Sequence, residues 1–204
     1  MIEKYSLYYS YRDIGDILLV AFNQKTIPTS HERKGDVAII YHDGEIIGYN
    51  IFNISKIVKI KTKGLIYFPS SVFIDVINSI LENHHLENLA HFAHSGYAIG
   101  QIVNTSMSHG LCRSSIDIGG KILEGQLVPN LKVGDKVVVA LPGATLYDGQ
   151  EVEAISQTNS KTQSHICTNR ELNIASNDDI YLVDEDGVVG EDFFRTGEDK
   201  YERN

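Results

Sequence analysis

The chain has 204 residues, 42% of them hydrophobic and 22% charged, with 18 Lys and Arg against 27 Asp and Glu for a net charge of -9. That is the composition of an ordinary globular protein, long enough for one large domain or two small ones. No apolar run approaches a membrane span, the N-terminus lacks a signal-peptide core, and two cysteines cannot build a disulfide framework or a four-sulfur zinc site. A cytoplasmic protein with no membrane association is therefore expected. The acidic balance argues against non-specific nucleic-acid binding, which draws on Lys and Arg.

Ile14–Phe22 (IGDILLVAF) and Gly35–His42 (GDVAIIYH) are rich in β-branched and aromatic residues and predict strands. The stretch between them, NQKTIPTSHERK, predicts a polar loop. Asp43-Gly44 then lies between two apolar runs, and Asp-Gly suits the positive φ values of a type I′ turn, so a hairpin is expected. After Pro69, a helix is signalled: Ser70 or Ser71 caps it, and Val72, Phe73, Val76, Ile77, Ile80 and Leu81 recur at helical spacing. Asp75 suits its first turn, Asn83-His84-His85 ends it, and Leu86–His94 could extend helical structure toward a boundary at residues 93/94.

The second half, residues 94–204, predicts five short strands: YAIGQIVNTS, LCRSSIDI, KILEGQLV, KVVVALP and QEVEAIS. Five strands with turn punctuation fit a small barrel such as an OB-fold, so the fold class is mainly β, an α+β domain (1–93) followed by a five-stranded barrel (94–204). The charge is uneven. Residues 1–93 hold 9 basic and 10 acidic side chains, residues 94–177 hold 6 and 7, and from Asp178 onward there are 10 acids against three bases. The acidity belongs to the C-terminal segment, whose last stretch, RTGEDKYERN, has the composition of a solvated tail.

Signatures of catalysis are missing. Gly119-Gly120-Lys121 lacks the upstream glycine and following hydroxyl of a phosphate loop, and there is no GxGxxG after a strand and no GxSxG. His84, His85, His91 and His94 invite zinc, but no cysteine or acidic pair completes the spacing. Cys112 and Cys167 are expected as small buried apolar residues. The expectation is a non-enzyme without cofactor or metal.

Gly134–Val152 (GDKVVVALPGATLYDGQEV), with Pro129-Asn130 upstream and ICTNRELNI (Ile166–Ile174) downstream, resembles the EMAP-II-like tRNA-binding OB domain. That domain is found at the start of the bacterial phenylalanyl-tRNA synthetase β subunit, at the C-terminus of some methionyl-tRNA synthetases and in stand-alone proteins. IGDILLVAF, ERKGDVAIIY and GEIIGYNIFNIS in the first half resemble the small N-terminal domain that precedes it in YtpR-like proteins. The resemblance spans nearly the whole chain. It implies tRNA binding in a groove that tracks phosphates with Lys or Arg and bonds exposed bases with polar groups. The residues implied are Arg113, Lys121, Lys136, Lys161 and Arg170, with Lys132 beside them and with Asn130 and Thr162 as polar contacts. Tyr97 and Tyr147 are candidates for base stacking, with packing in a strand or loop as the favoured reading of each.

The chain departs from the family pattern in its loops. An HPDADKL-like loop is replaced by Thr105–Leu111, a CGAPN-like turn keeps only Pro129 and Asn130, and the LRG-containing segment becomes Gln157–His165, with Thr162 for its serine. The second reading is thus a degenerate barrel kept for homodimerisation or for docking a protein partner.

Overall fold

The computed structural model describes residues 1–23, 25–108, 111–126, 130–153, 163–194 and 201–203. The chain divides into two compact units, His94–Phe194 and the remainder.

The first unit is built on a six-stranded antiparallel sheet. Its strands are β1 (Ser6–Tyr9), β2 (Ile17–Ala21), β3 (Ser30–Lys34), β4 (Val37–His42), β5 (Glu45–Phe52) and, after the short β6 (Val58–Ile60), β7 (Gly64–Ile66), in the order β3-β4-β5-β2-β1-β7. Period-two alternation puts Leu7, Tyr9, Leu18, Val20, Val37, Ile39, Tyr49 and Ile51 in one buried cluster. Helix α2 (Ser71–Asn83) contributes Phe73, Ile74, Val76, Ile77 and Leu81 to the same cluster, while a single turn, α1 (Tyr11–Ile14), joins β1 to β2.

Local signals work here as expected. Asp43 (φ 47°) and Gly44 (φ 90°) make the β4–β5 turn. The Ser70 side chain accepts from the Phe73 amide at 3.2 Å, capping α2, and His84 closes it. Asn53, at φ 57°, ends the GYNIFN stretch in the left-handed region; its amide donates to Asp16 O, and Asp16 Oδ2 accepts from the Ser55 hydroxyl at 2.7 Å.

Five expectations for the first unit need correction. Ser30–Lys34, placed in a polar loop, forms β3, because an edge strand with every side chain exposed carries no hydrophobic alternation. Val72 lies outside the buried face of α2 at 57% exposure, whereas Ile74 is fully buried, a one-position rotation of the face. Asp75 sits beyond the first turn and pairs with His91 at 2.9 Å, and Leu86–His94 is not helical. Within RTGEDKYERN, Tyr201–Arg203 pairs with β6 as an antiparallel strand.

The second unit is a closed barrel of β8 (Tyr97–Ser108), β9 (Leu111–Asp117), β10 (Ile122–Gln126), β11 (Lys136–Ala140) and β12 (Gln163–Ile166), ordered β10-β12-β11-β8-β9; Tyr201–Arg203 is β13, in the first unit. One parallel pairing, β10 with β12, closes it, an arrangement consistent with the OB-fold. Ile102, Ile116, Leu123, Val137, Val139 and Ile166 fill the interior. The fifth strand of the closed barrel is Gln163–Ile166; of the expected QEVEAIS, Glu151 makes an isolated bridge to Thr145 and Ala154–Ser156 lie outside the described residues. Its composition (QSHI) is less β-like than QEVEAIS, and closure geometry selected it.

Candidate nucleic-acid interface

The acidic segment is a strap over one side of the barrel. Val183 N donates to Lys136 O, Tyr181 N to Cys167 O, Gly190 N to Ile99 O and Phe193 N to Tyr97 O, so the strap runs along β8, β11 and the end of β12. Ile180 packs against the barrel core, and Phe194 meets Tyr97 edge-on at 5.1 Å between ring centroids. Asp192 accepts from the amide and hydroxyl of Ser95. The outer face of β9 and β10 takes part in none of these strap contacts.

The candidate cations fall into two groups. Lys136 Nζ donates to the carbonyls of Glu185 (2.6 Å) and Gly187 (2.8 Å), so its ammonium ties down the strap's turn at Asp184–Gly187. Arg170 is likewise engaged, its Nε 3.0 Å from Asp178 Oδ1 and its NH2 donating to Ser176 O at 2.9 Å. Arg113 and Lys121 lie on the β9–β10 side. Arg113 is half exposed with a loose 3.5 Å contact to Glu124, and Lys121 is exposed in the turn between the two strands. Their register places Arg113 opposite Gln126, at the far end of β10 from Lys121, about 16 Å along the strand. They bracket a face rather than converge on a point.

Between them the outward positions are mixed: Ser106 opposite Arg113, Asn104 opposite Ser115 opposite Glu124, and Asp117 opposite the exposed Ile122. Asn130 is exposed at φ 78°, a conformation asparagine tolerates, and Leu131 after it packs on the core. Lys132 is exposed, its amide capped by Asp135 at 2.7 Å. Tyr97 is buried with its hydroxyl on Thr145 O, so it packs rather than stacks on a base, and Tyr147 is half-buried. Lys161 and Thr162 lie outside the described residues.

Beside β12, His165 Nε2 contacts Glu171 Oε1 at 2.7 Å, and Glu171 Oε2 accepts from the Thr168 amide and hydroxyl at 2.8 and 3.0 Å. Burial pushes the Glu171 carboxyl up, but these hydrogen bonds outweigh it and hold the group below its ordinary value. Glu171 thus closes the turn that carries Arg170. Cys167 is fully buried, and burial pushes its thiol well up. No group of three or more His, Cys, Asp or Glu that could hold a metal occurs among the described residues. Nor is any helix there long and apolar enough to cross a membrane. The strap was the feature missed from sequence; its clue was the apolar content of DDIYLVDEDGVVGEDFF, masked by its acids.

Residues 24–89 match the domain of unknown function DUF4479. Over 179 residues the chain is 27% identical to the Bacillus subtilis (strain 168) protein named "Putative tRNA-binding protein YtpR", covering 82% of this chain and 87% of that one. The chain is a distant homologue of YtpR. The YtpR alignment is far longer than the DUF4479 match, so the relationship extends well beyond that one domain.

Proposed function

We propose that the chain binds tRNA without catalysis, through the β8–β9–β10 face of its barrel. The observation that carries this reading is the placement of the strap: its main-chain hydrogen bonds run along β8, β11 and the end of β12, and it meets the β9–β10 side at the turn that holds Gly119 rather than along the strands. On that open face Arg113 and Lys121 contact phosphates while Asn104, Ser106 and Ser115 bond sugars or bases. Lys136 and Arg170 hold the scaffold. YtpR's name supports tRNA as the ligand.

A second reading is favoured by one observation: Lys136, Arg170 and, loosely, Arg113 are already engaged within the barrel unit, which suits a module that has exchanged RNA for a protein partner or a second copy of itself. Titrating fluorescent bulk tRNA at 20–200 mM salt separates the two, because log K falls with log[salt] in proportion to the phosphates neutralised. Binding that weakens steeply with salt, and further in K121Q and R113Q, supports the tRNA reading. Absence of binding at the lowest salt, with a dimer by light scattering, supports the second.

A further inference from the structure

The three strands of the barrel's open face, β8, β9 and β10, hold one basic residue, Arg113, and one aromatic residue, Tyr97, which is buried. Lys121 stands in the turn between β9 and β10, about 16 Å along the strand from Arg113. A protein that binds nucleic acid by stacking presents rings to successive bases, and one that binds by charge lines a groove with cations. These strands are equipped for neither. What they carry between the two cations is a set of short neutral side chains. Asn104 and Ser106 are exposed on β8, two residues and about 6.6 Å apart, and Ser115 is half-buried on β9 opposite Asn104.

Buried hydroxyls of the same barrel are spent on main-chain carbonyls: Ser114 Oγ donates to Gly125 O at 3.3 Å and Ser164 Oγ to Glu124 O at 3.2 Å. The side chains of Asn104, Ser106 and Ser115, by contrast, make no hydrogen bond among the described residues. Of the acids beside them, Asp117 accepts from the amides of Gly119 and Gly120, and Glu124, opposite Ser115, repels a phosphate but accepts from a hydroxyl. A serine hydroxyl both donates and accepts, so it does not choose among base edges. Asn104 has the amide that pairs an adenine edge, but no exposed ring on these strands holds a splayed base against it. The group that matches neutral donors and acceptors on a flat strand is the ribose 2′-hydroxyl, itself donor and acceptor, present in every nucleotide of RNA and absent from DNA.

We propose that Asn104, Ser106 and Ser115 select RNA over DNA by hydrogen bonding to ribose 2′-hydroxyls, with Arg113 and Lys121 on the flanking phosphates. This rests on the tRNA-binding reading of the same face and deepens it: the face reads the sugar and not the base, so its preference is for the class of nucleic acid and not for a sequence.

The test uses the full chain and one tRNA sequence made as RNA, as DNA and with 2′-O-methyl riboses. The wild type is expected to bind the DNA at least about 10-fold more weakly than the RNA, and the 2′-O-methyl form, which keeps the A-form shape but lacks the hydroxyl donor, is weakened alongside the DNA. N104A/S106A, with S115A as a second variant and circular dichroism as the check on folding, should lose about 5-fold in RNA affinity per hydrogen bond removed and leave DNA affinity where it was. Their slope of log K against log[salt] should equal that of the wild type, whereas R113Q flattens it by about 0.7–0.9. Equal wild-type affinity for RNA and DNA overturns the sugar contact and leaves the tRNA reading standing. An RNA preference untouched in both alanine variants, or undiminished binding of the 2′-O-methyl form, does the same. No wild-type binding to the RNA at low salt overturns both.

Discussion

Replacing Lys136 by Met separates a scaffold role from an RNA role. Its ammonium makes two hydrogen bonds to main-chain carbonyls, Glu185 O at 2.6 Å and Gly187 O at 2.8 Å, the second partly buried. A hydrogen bond to a charged group contributes about 1.5–3 kcal/mol net, and the exposed one counts for less. Met retains most of the aliphatic stem, so packing changes little, but both carbonyls lose their donor. The barrel unit should lose about 2–3 kcal/mol. With an m-value of about 2 kcal/mol/M in urea, its unfolding midpoint should fall by about 1–1.5 M. The strap is the element released, so hydrogen exchange should quicken first at Val183, whose amide donates to Lys136 O, and at Gly187, whose amide donates to Asp184 O. The tRNA affinity of the folded protein should stay within about twofold of wild type, since no phosphate contact is removed on this reading. An unchanged midpoint together with a large, salt-dependent loss of tRNA affinity would refute the reasoning and return Lys136 to the groove.

Two more predictions follow from the barrel unit. Gly190 (φ 91°) packs against the turn at Gly119, and a Cβ there would lie 2.8 Å from Gly119 Cα and 2.9 Å from Ile118 O, whereas Gly120 (φ 95°) faces open space. Both Gly→Ala changes carry the left-handed backbone cost of about 1–2 kcal/mol, so Gly190→Ala should cost at least about 1 kcal/mol more than Gly120→Ala in urea unfolding; equal costs would mean that the strap does not press on this turn. Glu171 has its folded pKa lowered, so its stabilisation is complete above the unfolded carboxylate value near 4.3 and disappears as pH falls through the lower folded value. Unfolding followed from pH 6 to pH 3 should therefore show an acid-side loss that Glu171→Gln abolishes, and parallel curves for the two proteins would contradict this.

How much was legible from sequence varies by element. The β4–β5 hairpin and the cap of α2 are written in two or three adjacent residues, because Asp-Gly and Ser act on backbone within reach of their own atoms. The barrel's core strands were legible through β-branched runs. Strand β3 was not, since an exposed edge has no buried face to imprint a pattern on its residues. Nor was β12, where closing the barrel mattered more than propensity.

Composition and local pattern by themselves determined a mainly β chain, a hairpin, one capped helix and four of the five strands of a barrel, with charge concentrated from residue 178 onward. What the tertiary structure alone decided is which charges are spent. The sequence presents Lys136, Arg170, Arg113 and Lys121 as equivalent cations. Folding brings Lys136 to carbonyls about fifty positions away and Arg170 to Asp178, and leaves Lys121 exposed between β9 and β10. The composition of the segment from Asp178 to Phe194 suggests an acidic, solvated stretch; its amides and aromatic rings make it a strap. The reason is range: turn and cap chemistry act over two to four residues, whereas the partner of a long cation is set by strand order and closure, which no local window contains.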